Sequence, residues 1–399
     1  MSGFVVNQDL VADHSSPLLD HCPASLPARY YYDGEHFTRE MQTIWSNNWI
    51  YVGRVNDIAP LTVRRVTIGG QNLILVKDAE GQLACFHNTC RHRGAELCSA
   101  AETRLKAKLI SCPYHQWTYD LSGRLVRTPF VSITCDFKKE DHNLFAVNLT
   151  VWNGFVFACL TDQPPAFGVA PDLGEDALNN WPMAELVTGH VLTKEMACNW
   201  KVFWENYNEC LHCPGIHPEL CGMVPVYGHG YMAPNEDPAW TPGQQSASPV
   251  LKSGARTWTM NGRACGAEFA GLTAQERSAG HTFVTLMPAM YIVAHVDYVR
   301  AVSLRPLGPE RTELRVEWLF PKATLKAPGF DLDNVVNFAS QVLRQDGEAC
   351  EINQRGLRSS KFEHGRLMPQ EFGVFSFQEW VRRQLGGATA RLRKVLGNE

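Results

Sequence analysis

Four residues with metal-binding side chains lie in two short segments of the first half of the chain. One residue separates Cys90 from His92, and two residues separate Cys112 from His115. Two thiolates and two imidazoles in two loops can hold a metal centre. A structural zinc site is one interpretation, although paired zinc ligands are more often about two to four residues apart. The other is a two-iron, two-sulfur cluster with two Cys on one iron and two His on the other.

Two further cysteines near these loops do not fit either kind of site. Cys85 and His87 have the same C-x-H spacing, but no Arg-Gly turn follows them. Cys98 has no histidine at ligand spacing. We expect both thiols to be small buried residues.

A second pair of histidines lies near the middle of the chain. His212 and His217 are five residues apart, which would place them about 140° apart on an unbroken helix. Pro214 and Gly215 lie between them and are expected to break the helix. The chain could then fold back and bring both imidazoles to one point. The alternative is a pair of surface histidines at a helix end.

A carboxylate that could complete this second site lies in the long helix predicted over residues 331–358. Asp346 falls in a row of residues at steps of three and four that also contains Val335, Ala339, Val342, Ala349 and Asn353. A lone buried carboxylate is costly unless it is paired or binds a metal. Asp346 is therefore either a metal ligand or one half of a buried salt bridge. Asp331 and Asp333 lie at the helix start, where capping explains them.

Both constellations resemble segments of the Rieske non-haem iron oxygenases. Residues 88–94 (NTCRHRG) and 111–120 (SCPYHQWTYD) look like the two cluster loops of that family. The spacer between the loops is slightly longer than usual, and Gln116 stands where the family has Gly. Neither departure touches a ligand. Residues 199–218 (NWKVFWENYNECLHCPGIHP) resemble the mononuclear iron segment and follow the cluster loops in the expected order.

The resemblance implies two cofactors in each subunit. A Rieske 2Fe-2S cluster would be held by Cys90, His92, Cys112 and His115, and a mononuclear Fe(II) by His212, His217 and Asp346. Two His and one carboxylate leave open iron positions for oxygen. Since no dinucleotide or flavin fingerprint is present, NAD(P)H and flavin would act only through a separate flavin/iron-sulfur reductase.

Glu209 precedes His212 by three residues and is expected to share its helix face. Most of the family has Asp here, a residue that carries electrons from the cluster of one subunit to the iron of its neighbour in a homotrimer. Glu at this position resembles the branch that acts on quaternary ammonium compounds: carnitine, glycine betaine, choline and stachydrine. We expect Glu209 to be this bridging group rather than a surface acid.

Aromatic faces suit a quaternary ammonium substrate, because this cation has no hydrogen to donate. The candidates near the predicted catalytic segments are Trp204, Tyr207, Trp258, Phe269, Tyr291 and Tyr298. For any single one of them, ordinary core packing is the alternative interpretation.

The elements that must position these residues divide into three segments. Residues 1–44 form an N-terminal segment with a helix from residue 34, predicted to pack on the catalytic domain, and residues 45–162 read as short β-strands. Residues 163–399 mix strands (282–304, 312–320) with helices (200–212, 331–358, 377–395). With the resemblance, this is an α+β protein: a small all-β Rieske domain and a catalytic domain with an antiparallel sheet flanked by helices, of the ring-hydroxylating α-subunit type.

The composition is that of a globular protein without the excess of positive charge that a polyanion would require. Hydrophobic residues make up 45% and charged residues 20% of 399, and the net charge is −4, so nucleic acid is not an expected partner. The sequence has neither a membrane-length apolar run nor a signal-peptide pattern. The odd number of cysteines, 13, argues against a disulfide framework. These observations favour a cytoplasmic protein.

The sequence thus predicts the oxygenase component of a two-component Rieske monooxygenase. The expected reaction uses O2 to hydroxylate a quaternary ammonium compound, with oxidative N-demethylation of a betaine releasing formaldehyde. One alternative is an aromatic-ring hydroxylating oxygenase of the same family. Two others come from different classes: a Rieske electron carrier and a zinc-stabilised binding module.

Overall fold

The structure, a computed structural model, describes residues 16–168, 178–241 and 249–395. It divides into two compact units. One unit comprises residues 45–167, and the other combines the preceding residues with everything from 168 onward. The Pro- and Asp-rich stretch 163–175, whose composition predicts a linker, lies mostly outside the described residues.

The 45–167 unit is built from short antiparallel strands. They form three sheets, in the orders β1 (Ile50–Arg54), β10 (Phe155–Cys159), β9 (Asn148–Trp152); β4 (Leu83–His87), β3 (Gln71–Lys77), β2 (Thr62–Ile68), β5 (Glu102–Arg104); and β6 (Leu109–Ser111), β7 (Thr118–Asp120), β8 (Leu125–Arg127). The Gly69-Gly70 pair, which predicts a tight hairpin turn, joins β2 to β3, and both glycines have positive φ, 55° and 81°. Such angles suit Gly because it has no Cβ.

The sequence located the longer strands of this unit and missed four short ones, β5 to β8. Three residues are too few to show an alternating pattern. Residues Leu144 to Thr150 also have the sequence pattern of one strand, but β9 begins at Asn148 and only an isolated bridge, between Ala146 and Phe86, precedes it. The two predicted cluster loops follow β4 and join β6 to β7. Rigid strands therefore hold both loops.

The second unit contains a five-stranded antiparallel sheet with helices around it. The strand order is β11 (Val187–Met196), β15 (Arg311–Phe320), β14 (Val299–Gly308), β13 (Met290–His295), β12 (His281–Leu286). The helices are α1 (Gly34–Glu40), α2 (Trp200–Tyr207), α3 (Cys213–Ile216), α4 (Pro218–Met223), α5 (Ala274–Ala279), α6 (Lys322–Lys326), α7 (Leu332–Gly356) and α8 (Phe372–Val395). Strand β11 was not predicted. None of the helices in the described ranges combines the length and the apolar character needed to cross a membrane.

Helix α7 agrees with its predicted span and face. Val335 and Ala339 are buried, and the Asp331 carboxylate accepts a hydrogen bond from the Asn334 N–H at 3.2 Å, which confirms the cap. The same row becomes exposed at Asn353, in the last turn of the helix. Asp346 therefore lies where the buried part of the row begins to open.

Helix α2 is shorter than the 200–212 helix expected from the sequence. It ends at Tyr207, and the Asn208 side chain donates a hydrogen bond to the Trp204 carbonyl at 2.7 Å. The Glu209 carboxylate then accepts the Leu211 N–H at 2.5 Å. Side chains that bond to nearby backbone groups compete with the helical ladder. Because of this competition, the residues from 208 to 212 form a turn.

A buried ion pair joins the N-terminal segment to α2. The Lys201 ammonium lies 2.5 Å from the Glu40 carboxylate, and both side chains are fully buried. The Trp200 indole N–H donates to the other Glu40 oxygen at 2.8 Å. Burial alone would raise the pKa of Glu40, but the charge of Lys201 keeps that pKa below its usual value. Residues 16–44 are thus tied to the catalytic unit.

We predict that Glu40→Ala strongly destabilises the protein, because it leaves the Lys201 charge buried without a partner. The expected loss is about 3–5 kcal/mol of unfolding free energy, measured by urea denaturation. Glu35→Ala, at an exposed position in the first turn of the same helix, is the matched control and should cost less than about 1 kcal/mol. Equal losses in the two variants would show that the pair does not anchor the segment.

Candidate active site

The four predicted cluster residues lie in two loops of the 45–167 unit. The Cys90 and Cys112 side chains are buried, 3% and 2% exposed, whereas His92 and His115 are half-buried. The two imidazole rings are 4.7 Å apart between centroids. One loop therefore supplies a buried thiol and an outer imidazole, and the other loop supplies the same pair.

Backbone turns give both loops their shape. The Gly94 N–H donates to the Cys90 carbonyl at 2.9 Å, and the Gln116 N–H donates to the Cys112 carbonyl at 3.1 Å. Both turn residues have positive φ, 75° for Gly94 and 60° for Gln116. The departure from Gly at residue 116 therefore keeps the left-handed turn, which costs a residue with a Cβ more than it costs Gly.

These side chains fit an iron–sulfur cluster. Nδ1 of His92 is buried without a hydrogen-bond partner, while its ring stacks on Trp117 at 4.6 Å. A buried ring nitrogen with no partner is unfavourable unless a ligand uses it. Burial raises the pKa of the Cys90 thiol, and the hydroxyl of Tyr119 lies 3.3 Å from its sulfur. Cys85 and Cys98 are both buried, as expected.

In the other unit, His212, His217 and Asp346 meet at one point. Nε2 of His217 lies 2.9 Å from the Asp346 carboxylate, and Nε2 of His212 lies 3.4 Å from the same oxygen. Within the described ranges, these three residues form the group whose potential ligand atoms all lie within 4.8 Å of one another. Among the described residues, the two cysteines and two histidines of the loops do not form such a group.

The chain reaches this point by a route that differs from the sequence interpretation. Pro214 does not break a helix that contains His212; it lies in the first turn of the one-turn helix α3. His212 precedes α3 and His217 follows it. Proline is well tolerated at the first turn, where its missing N–H is not needed. The break therefore lies before His212, and α7 supplies Asp346 from the opposite side.

Two side chains fix the orientation of the imidazoles. Nδ1 of His212 is 2.6 Å from the Glu209 carboxylate, and Nδ1 of His217 is 2.8 Å from the Gln345 side-chain oxygen. Both Nε2 atoms therefore face Asp346. Glu209 reaches His212 through the turn after α2 and not along a helix face, so the predicted contact is present but its predicted cause was wrong. Gln345 was not predicted as a site residue; its only signal was its position beside Asp346.

The charges at this site are strongly coupled. Burial alone would lower the pKa of His212, but its hydrogen bonds to Asp346 and Glu209 raise that pKa to about 10. Burial would also raise the pKa of Asp346, but the hydrogen bonds from His212 and His217 lower it. The site thus concentrates negative charge where a cation can replace the protons.

A disulfide lies beside the site. Cys210 and Cys213 are joined, and they flank His212 in the chain. The other 11 cysteines form no disulfide, in line with the argument against a disulfide framework.

A small cavity of about 80 Å³ opens onto the His212, His217 and Asp346 side chains. Tyr207, Trp258 and Tyr291 line it, as the sequence suggested. The lining residues that the sequence did not identify include Phe203, Tyr227, Met232, Phe283 and Arg300.

The other three substrate candidates do not line this cavity. Trp204 is fully buried and donates its indole N–H to the Pro288 carbonyl at 2.7 Å. Tyr298 donates its hydroxyl to the Trp258 carbonyl at 2.6 Å. Phe269 is buried in the core. Trp204 packs on Tyr207 and Tyr291, and Tyr298 bonds to Trp258, so both support lining residues from behind. Residue type alone does not distinguish these supporting rings from the lining ones.

Known families match both units of the chain. The Rieske 2Fe-2S domain matches residues 48–138, and the ring hydroxylating alpha subunit (catalytic domain) matches residues 183–387. The glycine betaine monooxygenase oxygenase subunit of Chromohalobacter salexigens is 31% identical over 385 residues, which cover 89% of this chain and 84% of that protein. The carnitine monooxygenase oxygenase subunit of Acinetobacter pittii is 26% identical over 377 residues, covering 90% and 94%.

A solved structure shares the fold. The quaternary ammonium Rieske monooxygenase CntA in complex with L-carnitine superposes with a TM-score of 0.67 at 20% identity, over 94% of this chain and 98% of that one. The match to a catalytic domain excludes the cluster-only electron carrier, and the match to a Rieske 2Fe-2S domain excludes the zinc-stabilised binding module. The chain therefore belongs to the Rieske non-haem iron oxygenase α-subunits, enzymes that carry a Rieske cluster and a mononuclear iron and receive electrons through a separate reductase.

Proposed function

We propose that this enzyme hydroxylates an N-methyl carbon of a betaine and so removes the methyl group as formaldehyde. The observation that carries the proposal is the aromatic wall of the cavity that reaches the three converging ligand side chains. The relatives named for glycine betaine and carnitine support it. Hydroxylation of an N-methyl carbon gives a carbinolamine, which collapses to formaldehyde and the demethylated amine.

The aromatic rings of the cavity are packed against one another. The Tyr207 and Tyr291 rings are 4.1 Å apart, and the Trp258 and Phe283 rings are 5.9 Å apart. Electron-rich ring faces attract a cation that cannot donate a hydrogen bond. Because each ring is held by its neighbours, the wall orients a trimethylammonium group without having to rearrange.

The ligand side chains have separate tasks in this proposal. His212, His217 and Asp346 hold the mononuclear iron, and Cys90, His92, Cys112 and His115 hold the cluster. When bound, the iron supplies the activation of O2 with electrons from the cluster. Nδ1 of His212 donates a hydrogen bond to Glu209, and Nδ1 of His217 donates one to the Gln345 oxygen. These bonds keep Nε2 of each imidazole available for the metal. The aromatic wall excludes water from the reacting methyl group.

Glu209 has a further role in the proposal. We place it between His212 and the cluster of a neighbouring subunit in a homotrimer. Its support is the 2.6 Å contact between one of its carboxylate oxygens and Nδ1 of His212. The electrons come from NAD(P)H through a flavin/iron-sulfur reductase.

Turnover of a substrate panel tests the function. With a suitable reductase, glycine betaine, carnitine or stachydrine should yield formaldehyde and a product that has lost one methyl group, detected by mass. An aromatic hydrocarbon should not be consumed. Ring hydroxylation without formaldehyde would establish the aromatic-ring alternative, and hydroxylation with all methyl groups retained would contradict demethylation.

We predict that Asp346→Ala removes the mononuclear iron and leaves the cluster, because two imidazoles alone form a weak site. Iron analysis should fall from about three to about two per subunit, the visible cluster absorption should persist, and turnover should fall by orders of magnitude. Asp333→Ala, exposed in the first turn of the same helix, should retain both metals. Full iron content in the Asp346 variant would show that this carboxylate is only a structural acid.

We predict that Glu209→Ala binds both metals and reduces its cluster, but passes electrons to the iron too slowly for normal turnover. Single-turnover experiments that follow cluster reoxidation should show a loss of orders of magnitude, with part of the rate restored in Glu209→Asp. Glu348→Ala, at an exposed surface pair on α7, should behave as wild type. Near-normal reoxidation in Glu209→Ala would exclude the bridge, while loss of iron would make Glu209 a metal ligand.

A further inference from the structure

One wall of the cavity carries a buried positive charge. Arg300 lies on β14 in an otherwise apolar stretch, is 5% exposed, and lines the cavity. Its pairing partner on β13 is Val293, which in turn pairs with Phe283 on β12. Paired residues in antiparallel sheets point to the same face. Arg300 and Phe283 therefore share one sheet face, and the cavity lies on that face.

This guanidinium has no counter-charge in the described part of the chain. Nε of Arg300 is buried without a hydrogen-bond partner. Two other arginines of the same sheet do have partners: Arg305 is 2.8 Å from Glu313, and Arg315 is 3.0 Å from Glu317. The side chains of these two arginines are 43% and 45% exposed, so water already stabilises their charge. The buried arginine is the one without a carboxylate.

Nearby acids and bases do not neutralise it. The Asp346 carboxylate is occupied by the two imidazoles. One Asp297 oxygen accepts the Cys265 N–H at 2.5 Å and the other is buried without a hydrogen-bond partner, so Asp297 forms no ion pair with Arg300. His281 and His295, which also surround Trp258, do not supply an anion. A buried charge without a partner is costly, and arginine does not lose its proton. The missing partner is therefore to be sought in what the cavity binds.

We infer that Arg300 binds the carboxylate of the substrate, so that the cavity selects a zwitterionic betaine over a quaternary ammonium alcohol. This inference rests on the proposed function and narrows its substrate class. The Arg300 guanidinium carbon lies 5.8 Å from the centroid of the Trp258 ring, so the anion site and the aromatic wall adjoin. A plain cation such as choline would add a second positive charge beside Arg300. A betaine brings the missing carboxylate together with its ammonium group.

The test compares glycine betaine with choline as substrates and as ligands. Turnover by the enzyme with both metal centres occupied gives KM and kcat, and calorimetric titration gives Kd. Wild type should bind glycine betaine at least about tenfold more tightly than choline. Arg300→Gln should raise both the KM and the Kd for glycine betaine by about 10- to 100-fold, with a much smaller change in kcat. The same substitution should not weaken the binding of choline. Arg300→Lys, which keeps the charge but not the planar fork, should recover part of the affinity.

Arg305→Gln is the matched control, since it removes a paired and exposed arginine from the same strand, and it should leave both constants unchanged. An unchanged KM and Kd for glycine betaine in Arg300→Gln would overturn the inference, as would wild type that binds choline as tightly as the betaine. In either case demethylation of quaternary ammonium compounds would stand. A wild-type enzyme that acts on neither compound nor on any other betaine would instead overturn the proposed function.

Discussion

The carboxylate of Asp346 lies between two imidazoles, and the second of them, His217, precedes it by 129 residues. Burial makes that carboxylate costly on its own, whereas contact with two histidines makes its charge favourable. This contact forms only if three elements are placed correctly with respect to one another: α7, the turn after α2, and the one-turn helix α3. The hydrogen bonds of Glu209 and Gln345 then determine which nitrogen each imidazole presents.

The cavity at this site contains two kinds of group with opposite preferences for the charge of a bound molecule. Aromatic faces favour a cation, while the buried Arg300 guanidinium disfavours one. A molecule that carries both charges satisfies both groups at once. The geometry of the sheet contributes directly, because the pairing of β12, β13 and β14 places Phe283 and Arg300 on the same face.

Much of this could be predicted from the sequence, for physical reasons. Short motifs with fixed spacing bring ligands together locally, so the loop residues and the His212–His217 pair were recognisable. The periodicity of α7 indicated that Asp346 points inward. The end of α2 was not predictable from periodicity, because capping by Asn208 and Glu209 ended a pattern that continues in the sequence. Arg300 and Phe283 meet only through strand register, which no local pattern encodes.

The catalytic unit combines chain segments that precede and follow residues 45–167 in the sequence. This affects the order in which the protein can assemble during synthesis. Glu40 leaves the ribosome early, but its partner Lys201 follows 161 residues later. Domains generally fold as units while the chain emerges. The intervening unit has all its strands by residue 159 and can fold first. The N-terminal segment must meanwhile remain available, with an acid on α1 whose burial becomes favourable only when α2 has been made.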